Sequence, residues 1–149
     1  MEQTIALETK KDYVMKQACF SELTDPEKDE LAGLFIEKHY AAGQTIVTEG
    51  DLVESVYLIV SGTADVRHVT IENGATKITS VATLGPNQAI GLNETGFYSL
   101  SGRRTATVVA STDMVLLRLS VAAFNGFALA HSHVNEVMHR YSRGILDVK

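Results

Sequence analysis

The chain has 149 residues, of which 45% are hydrophobic and 21% charged, so we expect one globular domain with its own core. Its formal net charge of −5 and its scattered basic residues argue against a nucleic-acid-binding surface. The single cysteine excludes an internal disulfide framework, and no apolar run reaches the length of a membrane span or forms a signal core. We therefore predict a cytoplasmic protein without direct membrane insertion.

The N-terminal part predicts two helices. Residues 4–18 carry apolar side chains at helical spacing. The second helix has clearer signals, because Thr24 and Glu27 form a capping-box pattern and Pro26 falls in the first turn, where proline is tolerated. One face of this helix is expected to be buried. The apolar residues of that face are Leu31, Leu34 and Phe35.

From residue 38 the pattern changes to short apolar or alternating runs separated by turn residues. Asn73-Gly74 is a strong hairpin signal, because both turn positions need positive φ. In the run before this turn, Ala64, Val66 and Val69 are the candidate inward positions. Short strands at even spacing favour an antiparallel sandwich or barrel. The predicted strands are residues 44–48, 55–60, 63–71, 75–84, 105–110 and 114–119.

The last thirty or so residues return to a helical pattern. Ser120 can cap a helix over residues 121–130, and Ser132 can cap a final helix towards Leu146. The fold prediction is a single domain, residues 1–149, that is mainly β with flanking helices. It comprises N-terminal helices (1–37), an antiparallel, jelly-roll-like β-roll of about eight strands (38–119) and C-terminal helices (120–149).

Residues 90–104 interrupt the rhythm of the strands, and such an interruption is where function often lies. A short helical turn between Glu94 and Leu100 would expose backbone N–H groups that attract an anion, and Gly96 would let a ligand approach the backbone closely. An arginine before the next strand can hold a phosphate by charge-assisted bonds, while a nearby carboxylate can accept hydrogen bonds from sugar hydroxyls. The segment thus predicts a site for a phosphorylated sugar or a nucleotide.

Over nearly all of residues 20–146 the chain resembles cyclic-nucleotide-binding domains. The resemblance is carried by the segments FSELTDPEKDELAGLFIEKHYAAGQTIVTEG, SVYLIVSGTADV, ATLGPNQAIG and RRTATVVASTDMVLLRLS. In detail it is nearest to domains found alone or fused to bacterial anion transporters. It implies a regulatory module, not an enzyme, that binds cyclic AMP or cyclic GMP through a phosphate-binding cassette and relays binding to its C-terminal helices.

The resemblance also implies roles for individual residues. Glu94 matches the carboxylate that binds the ribose, Arg104 matches the arginine that binds the phosphate, and Thr105 matches the small residue after it. Thr95 and Gly96 would supply backbone N–H groups. Arg103 is expected to face solvent.

A second register of the cassette remains open. In the register above, Asn93 stands where the family has a glycine. The competing register uses Gly91 as that glycine and places Leu92 at the position of the glutamate. In that case the contact with the ribose is lost and affinity should be poor.

The relay is a hypothesis about two phenylalanines. Phe97 in the cassette would shift against Phe124 in the helix after the roll when a ligand binds, and the C-terminal helices would then reposition.

Two other functions compete with the sensor. A degenerate family member would bind no nucleotide and serve as an interaction or dimerisation module. A metalloenzyme with a similar β-roll is disfavoured, because His131 and His133 are two residues apart and diverge on a helix. We predict no catalytic residues, no metal and no cofactor. The expected partners are the cyclic nucleotide and either an effector or transporter protein or a second copy of the chain.

Overall fold

Two antiparallel four-stranded sheets and flanking helices make up the described part of the chain. A computed structural model describes residues 5–17, 20–93, 96–97 and 102–137, with the backbone alone at 92, 93, 96 and 97. The mainly β fold with N- and C-terminal helices confirms the predicted class.

The helices begin where their capping residues predict. Helix α2 (Asp25–Leu34) has the complete capping box: the Thr24 hydroxyl accepts the N–H of Glu27, and the Glu27 carboxylate accepts the N–H of Thr24. Helix α3 (Val121–Ala130) is capped by the Ser120 hydroxyl, which accepts the N–H of Ala123 at 2.9 Å. Helix α1 is shorter than predicted, Leu7–Met15, and residues 132–137 form a further helical segment.

One sheet has the strand order β1-β10-β3-β6 and the other the order β2-β9-β4-β5, and every pairing in them is antiparallel. A small separate pair, β7 with β8, follows β6. The strands are β1 (Ile36–Tyr40), β2 (Thr45–Val47), β3 (Ser55–Ser61), β4 (Ala64–Glu72), β5 (Ala75–Leu84), β6 (Ala89–Ile90), β7 (Leu92–Asn93), β8 (Gly96–Phe97), β9 (Thr107–Ala110) and β10 (Met114–Ser120).

Strands β3 and β10 separate two hydrophobic clusters by alternation of their side chains. Val56 and Leu58 point towards the helices and pack with Phe20, Leu31 and Phe124. The alternate residues of the same strands point into the roll, where the second cluster lies. That cluster includes Tyr57, Ile59, Leu116, Ile46 and Val108. The helices therefore pack on the outer face of the sheet that contains β3 and β10, and the inner face of this sheet lines the interior of the roll.

Strand β1 begins at Ile36, inside the region predicted to be helical. In this strand the polar residue is buried and the apolar residue is exposed: Glu37 is buried, whereas Ile36 is 46% exposed. The Glu37 carboxylate accepts the N–H of Ile5 at 2.8 Å and contacts Nε2 of His39, so its burial is compensated by polar contacts. A polar residue at an inward position hides the period of the strand from sequence analysis.

The hairpin between β4 and β5 confirms one prediction and corrects another. Asn73 and Gly74 have φ values of 53° and 80°, as the predicted turn requires. Ala64 is buried, but Val69 is 42% exposed, so its predicted inward position is wrong. Val69 is two residues from Arg67 and four from Asp65, so it lies with them on the outer face of the strand.

Candidate functional site

A cavity of about 140 Å3 lies inside the roll, between β6 and the segment that leads into β9. Its walls are mostly aliphatic. Its polar side chains among the described residues come from consecutive positions, Arg103, Arg104 and Thr105. The aliphatic walls include Val47, Val66, Ala89, Ile90 and Val108. An apolar cavity with a few convergent polar groups is the usual form of a small-molecule site.

The backbone of Arg104 is held from both sides by the turn between β2 and β3. Its N–H donates to the carbonyl of Asp51 at 2.7 Å, and its carbonyl accepts the N–H of Gly50 at 2.9 Å. The neighbouring residues bond to the same region, because the N–H of Val53 donates to the carbonyl of Gly102 at 2.8 Å. These bonds fix where the Arg104 side chain leaves the main chain.

The guanidinium of Arg104 is buried but only partly satisfied. The residue is 8% exposed, and Nη2 donates to the carbonyl of Ser55 at 2.5 Å. Nη1 has no hydrogen-bond partner among the described residues. A buried cation with an unused donor is costly unless an anion pairs with it. The predicted phosphate-binding arginine thus lies in the cavity wall with one buried nitrogen that no described residue pairs.

Gly91 provides the space that this guanidinium occupies. A Cβ built on Gly91 would lie 2.6 Å from Nη1 of Arg104, and Gly91 has φ of +82°, a conformation that other residues rarely adopt. Two independent requirements, the backbone angle and the close contact, therefore demand glycine here. The sequence analysis considered Gly91 in the competing register of the cassette.

Burial lowers the pKa of the Arg104 guanidinium, and the nearby Arg118 cation acts in the same direction. Tyr57 and Asp51 act against this and raise the pKa. Since the pKa of an arginine side chain lies far above neutral to begin with, Arg104 stays protonated at neutral pH. The group remains a cation whose charge is poorly solvated, which favours pairing with a desolvated anion.

The two neighbours of Arg104 have different settings. Arg103 is exposed, and its Nη1 donates to the carbonyl of Gly50 at 2.9 Å. Thr105 is also exposed and lines the cavity, but it precedes β9 instead of beginning it. Arg104 is therefore the buried member of the arginine pair, which is the distinction that the sequence analysis drew.

The structure describes only part of the segment that contains the other predicted site residues. Glu94 and Thr95 lie outside the described residues. Gly96 and Phe97 form strand β8, which pairs with Leu92 and Asn93, so the predicted helical turn is wrong at these two positions.

The predicted relay residue Phe124 is 3% exposed and lies in the core between the helices. Its ring packs against Phe20 at 6.0 Å and against Phe127 at 6.2 Å between centroids. The side chain of Phe97 is not among those described, so its contact with Phe124 stays a prediction. Phe124 itself connects the helix after the roll to the N-terminal part of the chain.

The histidines singled out in the sequence bind glutamates of α2. Nε2 of His131 lies 2.9 Å from a carboxylate oxygen of Glu30, and Nδ1 of His133 lies 2.8 Å from one of Glu27. Within residues 5–17, 20–93 and 102–137, no group of three or more His, Cys, Asp or Glu side chains is arranged to hold a metal ion. These histidines join the C-terminal helical segment to α2.

Sequence reasoning missed the acceptor and the backbone clamp of Arg104. The carbonyl of Ser55 and the turn at Gly50 and Asp51 are far from Arg104 in the chain, and backbone groups carry no sequence signal. Only the fold brings them together.

Residues 37–131 match the sequence model of a family described as "Cyclic nucleotide-binding domain". Among solved structures, the chain is similar to the N-terminal domain of a transcriptional regulator from Streptomyces coelicolor A3(2), with 25% identity and a TM-score of 0.74. That match covers 91% of this chain and 90% of the other.

Two further relatives are longer than this chain. The regulatory subunit of a cAMP-independent protein kinase A from Trypanosoma brucei is 25% identical, with a TM-score of 0.66, over 92% of this chain and 47% of that one. "Glutaminase 2" of Bradyrhizobium diazoefficiens is 28% identical over 119 residues, which are 80% of this chain and 17% of that protein. The chain therefore spans under a fifth of this curated relative. No helix of the described part is long and apolar enough to cross a membrane.

Proposed function

Because the chain belongs to the cyclic nucleotide-binding domain family, we propose that it is a non-enzymatic regulatory module that binds cyclic AMP or cyclic GMP in the cavity at Arg104. The observation that supports this most directly is the buried guanidinium whose Nη1 has no partner among the described residues. The phosphate of a cyclic nucleotide is a monoanion, so one guanidinium neutralises it.

The remaining polar contacts of the proposed site come from the neighbouring residues. Thr105 would offer its hydroxyl at the cavity wall, and Glu94, with the N–H groups of Thr95 and Gly96, would complete the cassette as the resemblance implies. Arg103 also lines the cavity, but it is exposed and its Nη1 donates to the carbonyl of Gly50, so we propose that it contributes much less to binding than Arg104. We propose the cytoplasm as the setting, which a chain with one cysteine suits.

The shape of the cavity allows a ligand to influence the conformation of its wall. The cavity has a volume of about 140 Å3 and opens to solvent, so part of a nucleotide would extend beyond the described walls. A ligand that binds one conformation of the wall better than another would shift the wall towards it, and we propose that binding moves the wall in this way. We propose that the C-terminal helices report this movement through the packing of Phe124. An effector or transporter protein, or an attached enzyme as in the glutaminase relative, would receive the signal.

Thermal unfolding with and without each nucleotide tests the proposal. At a free ligand concentration of about 100 times Kd, binding stabilises the folded state by about 2.7 kcal/mol, which raises Tm by roughly 5–10 °C for a domain of this size. Arg104→Lys should abolish most of this rise, since an ammonium cannot keep the contact with Ser55 and still hold the phosphate in a bidentate manner. Arg103→Lys is the matched control and should respond like the wild type. Equal losses in the two variants, or no rise with either nucleotide, would contradict the proposal.

A second candidate function is a family member that has lost nucleotide binding and acts as an interaction module. The contact between Gly91 and Arg104 favours it, because the residue after this glycine is Leu92 where the family has its ribose-binding carboxylate. The Trypanosoma brucei relative described as cAMP-independent is consistent with such a loss within the fold.

Two substitutions distinguish the registers, and with them the two functions. If Gly91 begins the cassette, Leu92→Glu should create the missing acceptor and raise nucleotide affinity at least tenfold, whereas Glu94→Gln should change little. If Asn93 and Glu94 form the cassette instead, Glu94→Gln should weaken binding about tenfold or more, and Leu92→Glu should bring no gain. Isothermal titration of both variants with both nucleotides gives the answer.

A further inference from the structure

The outer half of the β4–β5 hairpin carries an exposed apolar surface. Val69, Ile71 and Ile78 are 42%, 77% and 61% exposed. Every residue of β5 except Leu84 is exposed, and β5 is the edge of its sheet. Single exposed aliphatic residues are common on proteins, but a contiguous group indicates a binding surface.

The register of the hairpin places these three side chains together. Val69 lies directly opposite Ile78, and Ile71 is two residues further along the same face, within reach of Ile78 on the diagonal. The opposite face carries His68, Thr70 and Thr79 together with the charges at the hairpin end. Alternation of this kind is typical of strands with one buried face, although here both faces are exposed. We call the surface formed by Val69, Ile71 and Ile78 the ribbon face.

The charges next to the ribbon face are already paired within the chain. Arg67 lies on the same side, and its Nε is 2.6 Å from the Asp65 carboxylate, which also accepts the Ser80 hydroxyl. The one charged residue of β5, Lys77, is on the opposite side and lies 3.6 Å from Glu72. An uncharged apolar surface is complementary to another uncharged apolar surface and offers little to a nucleic acid or to anionic lipid.

We propose that the ribbon face is a self-association surface, where two copies of the chain pack Val69, Ile71 and Ile78 against the same residues of the other copy. A second copy supplies a surface of identical size and polarity, and a two-fold axis makes such a contact closed and symmetric. The two ribbons would stack face to face as sheets do, about 10 Å apart. This proposal goes beyond the nucleotide site and does not depend on it.

The size of the surface sets the expected strength. The ribbon face presents on the order of 300 Å2 of apolar surface per copy, the lower end of functional patches. Even with its polar margin, the contact stays below the 1,200–2,000 Å2 of a standard stable interface. The dimer is therefore expected to be weak.

Sedimentation equilibrium of the full chain, from micromolar to roughly millimolar concentration, tests this. The wild type should pass from monomer to dimer. Ile78→Glu places a carboxylate of each copy in an apolar contact and should raise the dissociation constant at least tenfold. Ile71→Glu should do the same. Thr79→Glu introduces the same charge at the next residue of β5 but on the opposite face, and it should associate like the wild type.

The proposal is overturned if the wild type stays monomeric over the whole concentration range, since the ribbon face would then bind a different protein. It is also overturned by a dimer that Ile78→Glu does not weaken, or by equal effects of Ile78→Glu and Thr79→Glu. All three substitutions are at exposed positions, so each variant should unfold within about 0.5 kcal/mol of the wild type.

Discussion

Replacing Gly91 with alanine tests the geometry on which the candidate site depends. The new Cβ would lie 2.6 Å from Nη1 of Arg104, where no heavy atom fits, and the φ of +82° is strained for any residue with a Cβ. The backbone strain costs about 1–2 kcal/mol. Nη1 is the end of a flexible side chain and can move aside, but the move would weaken the bond from Nη2 to the Ser55 carbonyl, at a further cost of about 1 kcal/mol. We expect a total loss of about 2–3 kcal/mol, or a fall in Tm of roughly 4–12 °C.

Gly74→Ala is the matched control for this substitution. Gly74 has nearly the same angle, φ of +80°, but a Cβ built there meets nothing within 4 Å. The control therefore includes the strain without the collision and should lose only about 1–2 kcal/mol. Differential scanning calorimetry of both variants isolates the contact with Arg104. If both variants melt at the same temperature, moving the guanidinium costs nothing, and the bond to Ser55 does not hold Arg104 in place as we describe.

Two further predictions concern stability. The pKa of Glu27 lies below its ordinary value of 4.5, because the bonds from Thr24 and His133 outweigh burial, the largest single influence, which raises it. A carboxylate whose pKa is lowered by folding stabilises the folded state at pH values above its pKa in the unfolded chain, and this contribution is lost as the pH falls. Glu27→Gln should therefore lower the free energy of unfolding by about 1 kcal/mol at pH 7, and urea titrations should show the difference between variant and wild type closing below about pH 4. A difference that does not depend on pH would contradict this. Gly62→Ala should be more damaging than Gly74→Ala in calorimetry, because its Cβ would collide with the carbonyl of Asp113 while φ is +89°; equal losses would refute it.

Local signals explain which elements the sequence predicts well. Strand β5 and helix α3 have the bounds predicted for them, Ala75–Leu84 and Val121–Ala130. Each has a specific start signal, the Asn73-Gly74 turn before β5 and the Ser120 cap before α3. These signals act over a few residues, so a single sequence contains the whole of their information.

The elements that sequence analysis missed depend on distant partners. Strand β1 is concealed because Glu37 points inward, which only the contacts with Ile5 and His39 make acceptable. Val69 is a different case: it is three residues from the inward Val66, so simple alternation places it on the outer face, and the prediction departed from that rule. The extra residue of the β4–β5 pair, Val81, lies in β5, and no local rule predicts such a bulge.

The candidate site likewise has a part that the sequence predicts and a part that depends on the fold. Arg104 is predictable, because an arginine directly before an apolar strand fits a recognisable pattern. Its burial and its bond to the Ser55 carbonyl depend on a residue far away in the sequence, and so do the bonds of its backbone to the turn at Gly50. The sequence therefore predicts the charge of the site but not the way in which that charge is held.

The two bonds between α2 and the C-terminal helical segment have a mechanical consequence. Since His131 and His133 bond to Glu30 and Glu27, a movement of this segment away from the roll would either break both contacts or carry α2 with it. If the C-terminal helices do move when a nucleotide binds, as we propose, the surface of α2 should therefore change together with them.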